Sequence, residues 1–191
     1  MTVEIGRPRD PRIDTAVLEA TVELLGETGY GSLSVDAIAR RAGTSKPAIY
    51  RRWPSKAHLV HEAVFPITEA TELPGFGSVL DDVREMMRRT VDVLTTPAAR
   101  AALPGLVGEM AADPTLHAAL LGRFTHVLSF GLSDWLAAAV ARREVRRGVT
   151  PADVVDAIAG ITLIALITHG DALDDAWVDR TAELITRGIS A

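Results

Sequence analysis

The 191-residue sequence contains no cysteine. That absence excludes a disulfide framework, a Cys-ligated zinc site, an iron–sulfur cluster and a cysteine nucleophile. Aromatic residues make up only 5% of the chain, and lysine is scarce beside arginine. The opening decapeptide MTVEIGRPRD mixes both charges and holds no apolar run, so no signal peptide is expected. The longest apolar stretch runs from Ile158 to Ile167, short of the roughly 20 residues a membrane span needs. A soluble, cytoplasmic chain with no membrane partner is therefore expected. No alternating strand pattern, repeat or low-complexity tract stands out. What is present is 48% apolar residues, enough for a real core in one large domain or a small domain joined to a larger one.

A net charge of −5 argues against a general polyanion binder, but the average hides a division. Residues 1–60 hold nine basic and seven acidic residues, a net +2, and the rest of the chain holds eleven and eighteen, a net −7. Between Ala37 and His61 nothing is acidic and six residues are basic: Arg40, Arg41, Lys46, Arg51, Arg52 and Lys56. A basic run inside an acidic chain is a candidate for contact with phosphate, because uncompensated positive charge releases counterions from a polyanion.

Helical periodicity dominates. Ile13, Val17, Ala20 and Leu24 fall on one face of a first helix, opened by Asp10-Pro11 and stopped at Gly29. Ser34 caps a short helix to Ala42, and Ser45 caps another from Lys46 to about Arg52, with Pro47 tolerated in its first turn. A fourth helix spans about Lys56 to Val64. Pro66 to Gly77 holds two prolines and two glycines and is expected to connect a domain at 1–64 to a second at 65–191. Longer helices follow over about Val79–Leu94, Pro97–Ala112 (with a kink or break expected at Pro104-Gly105) and Pro114–Arg143. Thr150-Pro151-Ala152-Asp153 forms a capping-box-like start to a helix ending near His169, and Asp174 or Asp175 caps the last. The expectation is an all-α protein of about nine helices. Ile158, Ile161, Leu163, Ile164, Leu166 and Ile167 surround nearly every side of the helix after Pro151, the pattern of a helix buried on several faces.

Ser34 to Lys56 carries the chemistry. Two helices of about seven residues are too short to be stable alone. Ile38, Ala42, Ile49 and Trp53 supply apolar contacts to the first helix, which leaves Lys46, Pro47, Ala48, Tyr50 and Arg51 projecting elsewhere. A short helix, a Gly-containing turn and a second short helix form a helix-turn-helix, whose second helix enters the DNA major groove. The run IARRAGTSKPAIYRRWPSK, Ile38 to Lys56, resembles the N-terminal DNA-binding domain of TetR-family transcriptional regulators. It carries the family's IAxxAG, then Ser, Ile-Tyr, an aromatic and Lys. The likeness covers residues 10–64, with Trp53 in place of the commoner Phe and Arg51-Arg52 in place of a common aromatic or His pair.

The resemblance implies site roles. Tyr50 and Lys56 would contact phosphate, and Thr44 and Ser45 would add contacts at a helix N-terminus. Lys46, Pro47, Ala48 and Arg52 would face base edges, where a cation suits guanine and an apolar group suits the thymine methyl. Arg7, Arg9 and Arg12 would form an arm, while Trp53 is expected in the core and Arg40 and Arg41 in solvent. The resemblance further implies a repressor that binds a palindromic operator as a homodimer through helices at about 151–169 and 175–189. A small, apolar effector would release it, in a pocket to which we assign Met86, Met110, Phe124, Trp135 and Leu163. No cofactor and no catalytic residue is expected, and His58, His61, His117, His126 and His169 are not taken as metal ligands. Two other readings stand beside this one. The first is a DNA-binding regulator controlled by a protein partner. The second is a helical-bundle metal enzyme, which would need Glu-x-x-His pairs that the chain lacks.

Overall fold

In the computed structural model, residues 11–66, 75, 77–170 and 173–191 are described, with backbone alone for 121–130. Arg7 and Arg9, most of the connector and the Phe124 side chain lie outside the described residues. Nine α-helices and no strand appear among the described residues: α1 (Pro11–Ser32), α2 (Val35–Arg41), α3 (Lys46–Tyr50), α4 (Lys56–Val64), α5 (Val79–Thr95), α6 (Pro97–Ala112), α7 (Pro114–Ala141), α8 (Pro151–His169) and α9 (Asp175–Ile189). The protein is all-α, as its periodicity indicates.

The helices start where oxygen-bearing side chains satisfy free backbone N–H groups. Ser34, Ser45, Ser55 and Ser78 each accept from the backbone N–H three residues on. Thr150 and Asp153 form a reciprocal capping box at α8, and Asp174 caps α9. Gly29, with φ 72° and ψ 168°, leaves helical geometry, so the regular helix stops there as expected and a separate short turn carries the element on to Ser32. One expectation needs correction. Pro104 neither breaks nor divides α6, which runs unbroken from Pro97 to Ala112. Pro104 is exposed, so its ring displaces no core packing, and the missing donor removes a single helical hydrogen bond.

The chain divides into two compact units, residues 1–66 with 101–113, and residues 67–100 with 114–191. α6 therefore begins in the second unit and continues into the first. In the first unit, α1 packs against α2 and α4, and α2 against α3. Val17, Leu25, Ile38, Ile49, Leu59 and Val60 are its fully buried core. Burying each such side chain contributes about 1.5–3 kcal/mol, which is what stabilises an α3 of only five residues.

In the second unit α5 packs against α8 and α9, and α7 against α8. Val83, Met87, Ala139, Val154 and Val178 lie at its centre. Arg84 joins α5 to α9 by donating from Nε to Asp179 at 2.6 Å. A buried carboxylate is also present that the sequence did not disclose: Asp82 is 2% exposed and accepts from Trp135 Nε1 at 2.8 Å. α8 is, by length and composition, long and apolar enough to cross a membrane, with a mean hydropathy of 1.7 over its best window. The ten-residue run considered above understated it, because the flanking Ala and Val residues extend the apolar stretch. Only 22% of that window is buried within one chain. On α8 and α9, Ile164, Ile167 and Leu184 are exposed at 59%, 71% and 66%.

Candidate nucleic-acid interface

The turn between α2 and α3 is built by Gly43, whose φ of 63° is left-handed and costs least for a residue without Cβ. Thr44 N–H donates to Ala39 O at 2.9 Å, closing the turn. Ser45 Oγ then accepts from Ala48 N at 3.3 Å and starts α3. Ile49 (1% exposed) and Trp53 (4%) pin one side of the α3 segment to the core. Trp53 also donates from Nε1 to Glu62 Oε2 at 3.0 Å, which ties it to α4. With one face fixed in this way, Ser45, Lys46, Pro47, Tyr50 and Arg51 are exposed, and Thr44 and Ala48 are half-buried. Tyr50, at 43% exposed, is not a core aromatic.

The basic run is compensated in space by acids far away in sequence. Arg41 donates from Nη1 and Nη2 to Glu27 at 2.7 and 3.0 Å and reaches Glu23 at 3.3 Å, clamping α2 to α1. That double pairing lowers the Glu27 carboxyl below its usual range, chiefly through the Arg41 hydrogen bond. Lys46 Nζ donates to Asp36 Oδ2 at 2.8 Å, and this bond raises the Lys46 ammonium further above its usual value. Both partners of that bridge are about half exposed, at 44% and 56%, so it is worth little in water.

Arg52 is placed differently from the other cations. Its side chain is only 14% exposed, its Nε pairs with Asp14 of α1, and Nη1 donates to Ala48 O at 3.2 Å. The side chain expected at a base edge is thus folded back as a brace between α3 and α1. Arg40 and Arg51 are exposed and make no ion pair among the described residues. Arg51 lay in plain view in the sequence: it sits between Ile49 and Trp53, whose shared inward face turns residue 51 outward.

Lys56 opens α4 behind the Ser55 cap. Its Nζ donates to Tyr30 O at 3.1 Å and stands over the Tyr30 ring, 4.1 Å from its centre, close enough for cation–π attraction. Tyr30 is itself buried, at 7% exposed. His58 pairs through Nδ1 with Ser55 Oγ at 2.8 Å, and the His61 ring lies tilted against that of Phe65, centroids 5.5 Å apart.

The five side chains assigned to an effector pocket occupy unlike settings. Met86 is in the core of the second unit, Trp135 packs against that core, and Leu163 is half-buried on α8. Met110 is in the first unit, and Phe124 lies outside the described side chains. An open apolar depression of about 450 Å³ is lined by other residues, among them Gly160, Ile161, Ile164 and Trp177 on α8 and α9.

A short capped helix pinned by two core side chains, presenting a polar and cationic outer face beside a lysine at the next helix start, defines a helix-turn-helix DNA-binding protein. Comparison with known proteins agrees along both parts of the chain. Residues 17–63 match the bacterial regulatory proteins of the tetR family, and residues 73–185 match the tetracyclin repressor-like C-terminal domain. The DNA-binding transcriptional repressor TetR of Mycobacteroides abscessus is 32% identical over 178 residues, 88% of each chain. The HTH-type transcriptional regulator YdeS of Bacillus subtilis is 27% identical over 187 residues, covering 97% of this chain and 94% of that one. The crystal structure of the TetR family transcription regulator SCO0332 superposes with a TM-score of 0.71 at 28% identity, covering 94% of this chain and all of that one. The chain belongs to the TetR family of bacterial transcriptional regulators, and is a DNA-binding regulator rather than an enzyme.

Proposed function

We propose that the protein is a cytoplasmic, ligand-responsive repressor that binds a palindromic operator as a homodimer. The observation that carries this reading is the outer face of α3, where Lys46, Pro47 and Tyr50 are exposed while Ile49 anchors the helix from behind. In the docked state Lys46, Pro47 and Ala48 meet base edges, Tyr50 and Lys56 meet phosphates, and Thr44 and Ser45 line the approach. Lys46 exchanges Asp36 for its nucleic-acid partner. Arg52 keeps its brace to Asp14, and Arg51 takes its place at the surface.

Dimerisation is assigned to α8 and α9. Ile164, Ile167 and Leu184 leave an apolar surface that a second copy covers, and Gly160 and Gly188 on the same helices have open space above their Cα atoms. A closed two-fold pair then sets two recognition helices about one DNA turn apart, ~34 Å. A small apolar molecule in the second unit, near Trp135 and Leu163, shifts the equilibrium by its differential affinity for the two states, typically about 1–3 kcal/mol.

The test is selection of duplex from a random pool, then titration at several salt concentrations with wild type and Tyr50→Ala. Enrichment of an inverted repeat, bound with a salt slope that Tyr50→Ala reduces, supports the reading. Recovery of no duplex refutes it. Binding that persists with every small-molecule library but is relieved by a co-purifying protein replaces the effector with a protein partner.

A further inference from the structure

Tyr30 has no part in the DNA contacts assigned above, yet it touches two elements that matter to them. A Cβ built on Gly105 of α6 would overlap Cδ1, Cγ and Cε1 of its ring. The backbone of α6 thus lies directly on the aromatic edge, nearer than any side chain would allow. One helical turn on, Glu109 lies beside the Tyr30 hydroxyl. Burial first, and that carboxylate second, hold the phenol well above its usual 10.0. The same tyrosine fixes Lys56 twice, by its carbonyl at 3.1 Å and by its ring at 4.1 Å. All four residues belong to the first unit, but α6 itself starts at Pro97 in the second.

We propose that Tyr30 is a positioning residue that makes the phosphate contact of Lys56 depend on the position of α6, through the glycine seat at Gly105. The proposal rests on the DNA-binding reading of Lys56 given above. When α6 lies as in this structure, the ring is fixed and the ammonium is held at the start of α4. One N–H then goes to the Tyr30 carbonyl, one faces the ring, and one is left for phosphate. A displacement of α6 unseats the ring, and Lys56 loses both supports together. Gly105 is required because an alanine there imposes that displacement permanently.

Lys46 and Lys56 are the only lysines in the sequence, which gives a direct spectroscopic readout. Reductive ¹³C-methylation of the full chain yields two lysine signals, assigned by loss of one in Lys56→Arg. Ring current from Tyr30 sets the Lys56 signal upfield of that of Lys46. We expect Gly105→Ala to move it toward the Lys46 position and Tyr30→Phe to leave it in place. Tyr30→Leu, which removes the ring without crowding α6, moves it as Gly105→Ala does and keeps the test open if the alanine variant does not fold. In titrations against the selected duplex, Lys56→Met and Gly105→Ala each lower the salt slope by about 0.9 per bound protomer, the loss of one phosphate contact. The double variant falls no further.

A purely structural role would lower the melting temperature but leave the Lys56 signal and the slope unchanged. That result, or additive slopes in the double variant, overturns the proposal. The resonance shift needs no DNA. If no duplex binds, DNA binding fails while the Tyr30–Gly105 seat stands or falls on the spectrum alone.

Discussion

Arg52→Met isolates the brace between α3 and α1. The wild-type guanidinium is 14% exposed and pairs with an Asp14 side chain that is 36% exposed. Methionine keeps most of the apolar stem, so the loss is the charge-assisted pair, about 1.5–3 kcal/mol. Asp14 retains a third of its surface in water, which keeps the cost below the 3–5 kcal/mol of breaking a fully buried pair. We expect about 2 kcal/mol, felt in the first unit. Native-state amide exchange at Ile49 and Trp53, both buried, would then run about 30-fold faster, since each 1.4 kcal/mol is tenfold. Adding Asp14→Asn should recover part of that loss, because the stranded carboxylate is removed. The salt slope of DNA binding should stay within experimental error of wild type, since the side chain never reaches a phosphate. Unchanged exchange together with a weakened, base-selective interaction would refute the reasoning and restore Arg52 to a base edge.

Three further outcomes are expected. Ile167→Glu on α8 places a charge where about two thirds of an isoleucine awaits burial, and two-fold symmetry counts the change twice. A loss of about 3–5 kcal/mol, a few hundred-fold or more in the dimer constant, should appear in sedimentation equilibrium; an unchanged dimer would place the interface elsewhere. The raised Tyr30 phenol keeps its proton in the folded state while the unfolded chain loses it above about pH 10. Stability should therefore fall with rising pH there, by up to about 1.4 kcal/mol per unit, and Tyr30→Phe should flatten that limb in alkaline urea titrations. Asp153 is held below its usual 3.8, first by the Thr150 backbone N–H and then by its hydroxyl. Its contribution to α8 is present above pH 3.8 and lost as pH falls toward the lowered value. Asp153→Asn should make acid unfolding less steep over that range, as followed by circular dichroism.

The helices were legible because their signals are local. Ser34, Ser45 and Thr150 mark helix starts within four residues, and the three-and-four spacing of Ile13, Val17, Ala20 and Leu24 sets the inward face of α1. The fate of the charges was not legible. Asp14 and Arg52 are distant in sequence, and so are Glu27 and Arg41; periodicity says which way each points but not what it meets. Between Ala37 and His61 the sequence holds no acid at all, and the compensation comes from α1 and from Asp36 at the start of α2. Lys46, expected at a base edge, is exposed and bridged to Asp36. Arg52, expected beside it, is mostly buried against Asp14, while its neighbour Arg51 occupies the outward position. Gly105 gave no signal either, since Pro104-Gly105 resembles a breaker and the seat it forms depends on a tyrosine from another helix.

The unit that carries the recognition helix is not a continuous piece of chain, since residues 101–113 complete it. Excising residues 1–64 would therefore yield an unfinished module, with the Tyr30 ring turned from packed surface into wetted surface. The same holds for chimeras. A DNA-reading head exchanged between relatives must bring its own stretch of α6, or accept a seam at Tyr30 where a glycine has been replaced by whatever the host supplies. Substitutions at positions 30 and 105 of this chain are accordingly coupled, since a Cβ at Gly105 needs a smaller side chain than tyrosine at position 30.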